Sequence, residues 1–202
     1  SSAYFNKANS LAGMQMYQHA IDAYRETFDH EEPEALTYYY IGECYEKLDE
    51  PDQAIENFRK AVEMDEGIAD AWIGMGVCYE EKGNLKAALR YIRRGIEIDP
   101  ENPEYLATLA VCQQHAGYFS EAAQNFTKSA QIDPLDPEIW LDFSALFTEL
   151  EEFEHAIEVI DTGLTHQPDN NSLKFRRVAY LYNQGKIKEA TSQLTDTLLA
   201  GP

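Results

Sequence analysis

Apolar residues fall in two short clusters that return every 34 residues, with polar stretches between them. Counted from Ser1, the first cluster takes positions 4, 7, 8 and 11 of each 34-residue block. The second takes positions 20, 21, 24, 27 and 28. Both have the i, i+3, i+4, i+7 spacing of one helix face, so each block predicts two amphipathic helices. Ala20, Ala54, Ala88, Ala122, Ala156 and Ala190 recur at a spacing of 34 and set the register with no insertion or deletion. The blocks are 1–34, 35–68, 69–102, 103–136, 137–170 and 171–202, read as one array over residues 1–202.

The punctuation agrees with the period. Gly83, Gly117 and Gly185 stand at position 15, where a first helix would stop. Pro100, Pro134, Pro168 and Pro202 stand at position 32 and end the second helix, since proline disfavours helix in the residue before it. Asn102-Pro103-Glu104 and Asp136-Pro137-Glu138 read as an N-cap, a first-turn proline and an acid at the positive helix end. Position 8 is mostly small (Ala8, Gly42, Gly76, Ala110, Ser144, with Val178 departing), as is position 27 (Thr27, Ala61, Gly95, Ser129, Gly163, Thr197). Small side chains there let helices approach closely, and large ones at positions 4, 11 and 24 fill the gaps.

Together these columns, clearest in Trp72, Gly76, Tyr79, Gly83, Ala88 and Pro100, resemble the tetratricopeptide repeat (TPR) family. The resemblance spans the chain in six copies, with Lys7 and Lys174 departing at positions where large apolar residues are usual. It implies an all-α fold: a right-handed superhelical α-solenoid of antiparallel helix pairs, first helices on the concave face and second helices on the convex face.

Charge narrows the function. With 36 acidic and 16 basic residues the formal net charge is −20, which argues against nucleic acid and anionic membrane surfaces as partners. No apolar run approaches a membrane span, and the start SSAYFNKANSLAG lacks the basic and apolar segments of a signal peptide, so a cytoplasmic setting is expected. Charge is uneven: block 5 has nine acids and no Lys or Arg, and block 6 has two acids against five bases. The basic end of an acidic array is read as a local cap, with weak self-association through the ends as the alternative, and uncovered apolar surface is expected at Ile187, Leu194, Leu198 and Leu199.

Cys44, Cys78 and Cys112 share position 10, which could mean catalysis, metal ligation or architecture. Equivalent positions in stacked repeats lie about 8–10 Å apart, too far for a disulfide or a shared metal. Buried packing is therefore expected. No HExxH, P-loop, nucleophile elbow or kinase signature is present, and no catalytic residue, cofactor or metal is assigned.

The resemblance implies partner contacts through positions 2, 5, 6, 9, 12 and 13 of the first helices. The candidates so placed are Phe5, Asn9, Tyr39, Tyr40, Glu43, Glu46, Asp70, Ile73, Val77, Glu80, Glu81, Glu104, Val111, Leu141, Asp142, Phe175 and Arg176. Aromatic and acidic groups on one surface suit a peptide carrying Lys or Arg. Family members that grip acidic chaperone tails use a carboxylate clamp of Lys, Asn and Arg. Its positions here hold Phe5, Asn9, Tyr40, Asp70 and Gly74, so only Asn9 matches and such tails are not expected. The expected function is a non-catalytic scaffold binding a basic or amphipathic segment. The alternatives are a structural segment of a longer repeat protein, or a substrate-recruiting domain of an enzyme whose catalytic part lies elsewhere.

Overall fold

The structure is a computed structural model that describes residues 3–30 and 32–199; Pro202, read above as a repeat-ending proline, lies outside them. Among the described residues there are twelve helices and no strand. They are α1 (Ala3–Gly13), α2 (Tyr17–Thr27), α3 (Ala35–Lys47), α4 (Pro51–Met64), α5 (Ala69–Glu81), α6 (Leu85–Ile98), α7 (Pro103–His115), α8 (Phe119–Ile132), α9 (Pro137–Glu149), α10 (Phe153–His166), α11 (Asn171–Asn183) and α12 (Ile187–Leu199). Contacts divide them into two compact units, Ser1–Pro100 with α1–α6 and Glu101–Pro202 with α7–α12.

Each pair turns in the same way. Residues 15, 49, 83, 117, 151 and 185 all have positive φ, between 58° and 78°. The next amide donates back across the turn in every case, as in Asn84 N to Tyr79 O at 2.8 Å and Glu152 N to Phe147 O at 2.8 Å. This is the Schellman closure, which favours glycine at the left-handed residue. Three turns nevertheless carry Gln15, Asp49 and Glu151 there. Side-chain caps open several helices: Asn102 accepts from Glu104 N at 3.1 Å, Asp136 from Glu138 N at 2.9 Å, and Asn170 from Leu173 N at 3.1 Å.

In the first unit the core runs through Ala20, Tyr24, Ala54, Phe58, Met75 and Cys78. Phe58 is 1% exposed, and its ring is gripped edge to edge by two glycines. A Cβ on Gly42 would meet its Cδ1 at 2.6 Å, and a Cβ on Gly74 its Cε2 and Cζ at 2.7 Å. The second unit packs around Trp140, Ile160, Leu173, Tyr180 and Leu181, and around Phe126 and Leu146. Position 27 is small because something lies on it: Ile73 on Gly95, and Trp140 on Gly163. At Ser129 the same slot is used differently, the hydroxyl donating to Pro103 O at 2.7 Å. Cys44, Cys78 and Cys112 are buried and free.

Candidate functional site

The first helices of the first unit, α1, α3 and α5, carry most of the expected partner-contacting residues. Their aromatic members form a connected wall. Phe5 meets Tyr24 and Tyr40 edge-on, each at 5.6 Å between centroids. Tyr24 stacks on Tyr40 at 5.9 Å, and Tyr40 touches Tyr39 at 5.1 Å. Tyr39 in turn rests 5.9 Å from the clamped Phe58. The wall is thus anchored to the core at two rings, Tyr24, itself 1% exposed, and Phe58.

Polar groups on the wall are held in place. The Tyr24 hydroxyl donates to Asn9 Oδ1 at 2.5 Å, and the Tyr39 hydroxyl donates to Glu43 Oε1 at 2.7 Å, one helical turn away on α3. Burial pushes the Glu43 carboxyl above the ordinary glutamate range. The Tyr39 bond opposes that shift, while the charges of Glu46 and Asp70 add to it. The Glu81 carboxyl, though exposed, is raised by partial desolvation and then by Glu46, Asp49 and Glu80. Lys47 is the cation that both carboxylates feel, and it is itself drawn to Glu46, at 3.2 Å. The neighbouring acids of α3 and α5 thus add to the rise of Glu43 and Glu81, a field that an incoming cation would relieve.

The remaining candidates divide. Asn9, Asp70 and Glu81 are exposed; Val77 and Glu80 are half-buried. Ile73 is buried against Gly95, and Leu141 lies in the core of the second unit. In the second unit Glu104 and Phe175 are exposed, and Val111 and Arg176 are half-buried. The Asp142 carboxyl is raised by partial desolvation and then by Glu138, against the pull of Arg176. Sequence reading did not find Tyr24 as a member of the wall, because it sits on a second helix. The Tyr39–Glu43 bond was available from its i, i+4 spacing. Among the described residues, no helix is long and apolar enough to cross a membrane, and no three His, Cys, Asp or Glu are grouped to hold a metal.

Comparison with known proteins gives a coherent picture. The family model described as the cilia and flagella-associated protein 70 C-terminal domain matches residues 1–201. Among solved structures, PilF of Pseudomonas aeruginosa superposes with a TM-score of 0.76 at 17% identity, covering 99% of this chain and 92% of that one. YrrB, described as a TPR protein with an unusual peptide-binding site, gives 0.66 at 23% identity, with 90% of each chain covered. The Cut9–Hcn1 assembly of the APC/C gives 0.76 at 14% identity, covering 98% of this chain and 39% of its counterpart. A search of curated protein sequences gives no significant match.

Proposed function

Because the chain belongs to the family of the cilia and flagella-associated protein 70 C-terminal domain, a TPR fold, we propose that it is a protein-interaction scaffold whose first-helix face in the first unit captures a Lys- or Arg-containing segment. The observation that carries this reading is the acidic cluster of Glu43, Glu46, Asp70 and Glu81 beside the Phe5–Tyr24–Tyr40–Tyr39 wall. Phe5, Tyr39 and Tyr40, half-buried and backed by the buried Tyr24, offer apolar surface and ring faces to the stem and head of a basic side chain. The carboxylates supply complementary charge, and Glu43, half-buried and short of countercharge, gains most from a bound cation. YrrB is a TPR protein of the same fold that binds a peptide, which makes a peptide-sized ligand reasonable here. The family description directs the search for the partner to ciliary and flagellar proteins.

The test is a titration with a fluorescent nonapeptide of alternating arginine and leucine. Individual exposed charge pairs contribute only about 0–1 kcal/mol, so several must act together, and salt must weaken them. Reversing Glu80 and Glu81 to Lys weakens binding and flattens its salt dependence, whereas reversing Glu56 and Glu63 on α4 changes it little. Equal behaviour of the two double mutants, or preference for an acidic peptide, contradicts the reading.

A further inference from the structure

Second helices of successive repeats leave a slot between them, floored by the first helix they both cover. Within the units there are four such slots, and three are closed over part of their length by the chain's own side chains. Between α2 and α4, Phe28 lies on Tyr38 at 5.1 Å, Arg25 donates to the Tyr45 hydroxyl at 2.8 Å, and Lys60 sits over Tyr38 while bonded to Glu56 at 2.7 Å. Between α4 and α6, Tyr91 stacks on both Trp72 and Tyr79, at 6.1 and 5.2 Å, and the Arg94 guanidinium lies 5.9 Å over Trp72. Between α10 and α12, Arg177 donates to Asp161 at 2.5 Å and to Gln193 at 2.6 Å. Each closed slot is filled by a cation, and the two with aromatic floors by a cation and a ring together.

The fourth slot, between α8 and α10, is open. Its floor is Trp140, Phe143 and Phe147, the most aromatic of the four. In the 34-residue register, Arg25 becomes Thr127, Phe28 becomes Ala130, Tyr91 becomes Val159, and Arg94 and Lys60 become Thr162. The filling side chains at these positions are replaced by short ones, and the ends of the floor are flanked by the chain's own histidines, His166 stacked on Trp140 at 6.0 Å and His155 5.5 Å from Phe147. What remains is a cavity of about 600 Å³, against about 360 Å³ in each of the α2–α4 and α10–α12 slots. That size suits an anchor site. The floor is rigid: Trp140 Nε1 donates to Pro134 O at 3.0 Å, and the indole rests on Gly163. The carboxylate that pairs Lys60 in the closed slot is kept, as Glu158 at the equivalent position. The described lining contains no Lys or Arg.

We propose that the α8–α10 slot is a docking site for a helical segment of a partner protein that presents an aromatic residue and an arginine three positions apart. The internal template states the chemistry. Arg25 in the last turn of α2 with its C-cap Phe28, and Tyr91 with Arg94 on α6, are both such i, i+3 pairs. A partner helix supplying the same pair places its ring against the aromatic floor at Phe143, between His166 on Trp140 and His155 beside Phe147, and its guanidinium beside Glu158. The block holding Glu158 has nine acids and no Lys or Arg, which favours a cationic partner. This site is independent of the first-helix face discussed above.

The experiment uses the whole chain and a fluorescein-labelled, alanine-based helical peptide with one Tyr and one Arg three residues later. Two controls carry Ala for the Tyr or Glu for the Arg. The expected result is saturable anisotropy, with each control at least tenfold weaker. Val159→Tyr with Thr162→Arg fills the slot with the pair that α6 uses and lowers affinity at least tenfold; Glu158→Lys lowers it about fivefold. Trp72→Phe makes Trp140 the sole tryptophan, and its emission shifts as the peptide saturates, a readout that stands even where the filled-slot variant does not fold. Absence of binding, full affinity in the folded filled-slot variant, or a silent Trp140 at saturation overturns the proposal.

Discussion

Replacing Gly42 and Gly74 by alanine, singly and together, interrogates the clamp that joins the binding wall to the core. Each added methyl would lie 2.6–2.7 Å from carbons of the Phe58 ring, where ordinary contact is 3.4–4 Å. Alanine in a helix interior gains about 1 kcal/mol over glycine, and an overpacked methyl costs about 1–3 kcal/mol. Each single change is therefore expected to destabilise by about 0–2 kcal/mol, the ring sliding toward the glycine that remains. With both replaced the ring has no side to yield to, so the double mutant should exceed the sum by about 1 kcal/mol or more, within the range of coupled neighbours. In a Phe58→Leu background the clash disappears and each alanine should stabilise by up to about 1 kcal/mol. Urea midpoints read the whole cycle. If both single mutants are more stable by about 1 kcal/mol and the double is their simple sum, Phe58 is not clamped and the packing argument fails.

Other outcomes follow from the same physics. Glu151→Gly should stabilise by about 0.5–1 kcal/mol in denaturant melts, since left-handed backbone costs a non-glycine residue about 1–2 kcal/mol and glycine's extra chain entropy returns part of that; no gain would argue against the turn geometry. Burial raises the Cys44 thiol to about 11 and the Cys78 thiol to about 12, so both should label slowly in native buffer and quickly in denaturant. Glu43→Gln keeps an acceptor for Tyr39 and removes a carboxyl whose folded value is raised by burial. Below the unfolded glutamate value of about 4.3 both chains carry a neutral group and should be equally stable. As pH rises through the folded value, wild type should fall behind the variant, and the gap should be complete at neutral pH. A gap that is present at pH 3 would contradict the assignment.

The repeat was legible because its constraints are local and repeated. Proline, small residues and helical spacing recur at one period, and each has its own physical reason. Position 15 was legible only where glycine marked it; at Gln15, Asp49 and Glu151 the flanking helices impose the left-handed turn on residues that do not advertise it. The candidate site was read less well at position 5. Phe5, Tyr39, Ile73, Leu141 and Phe175 share that column, yet Ile73 and Leu141 are buried while Phe175 is exposed. A column that is apolar in every repeat signals packing as readily as recognition, and only tertiary contacts separate the two. The α8–α10 slot left its trace in the sequence as short residues at Thr127, Ala130, Val159 and Thr162, a pattern that means nothing until the closed slots show what those positions normally hold.

The most direct measurement of the central reading is a backbone amide shift map of the labelled chain titrated with the arginine–leucine nonapeptide. The largest shifts are expected on α1, α3 and α5, at Asn9, Tyr39, Glu43 and Asp70, and they should shrink as salt rises. Shifts confined to the second helices α2, α4 and α6, with those four amides unmoved at saturation, would contradict capture on the first-helix face.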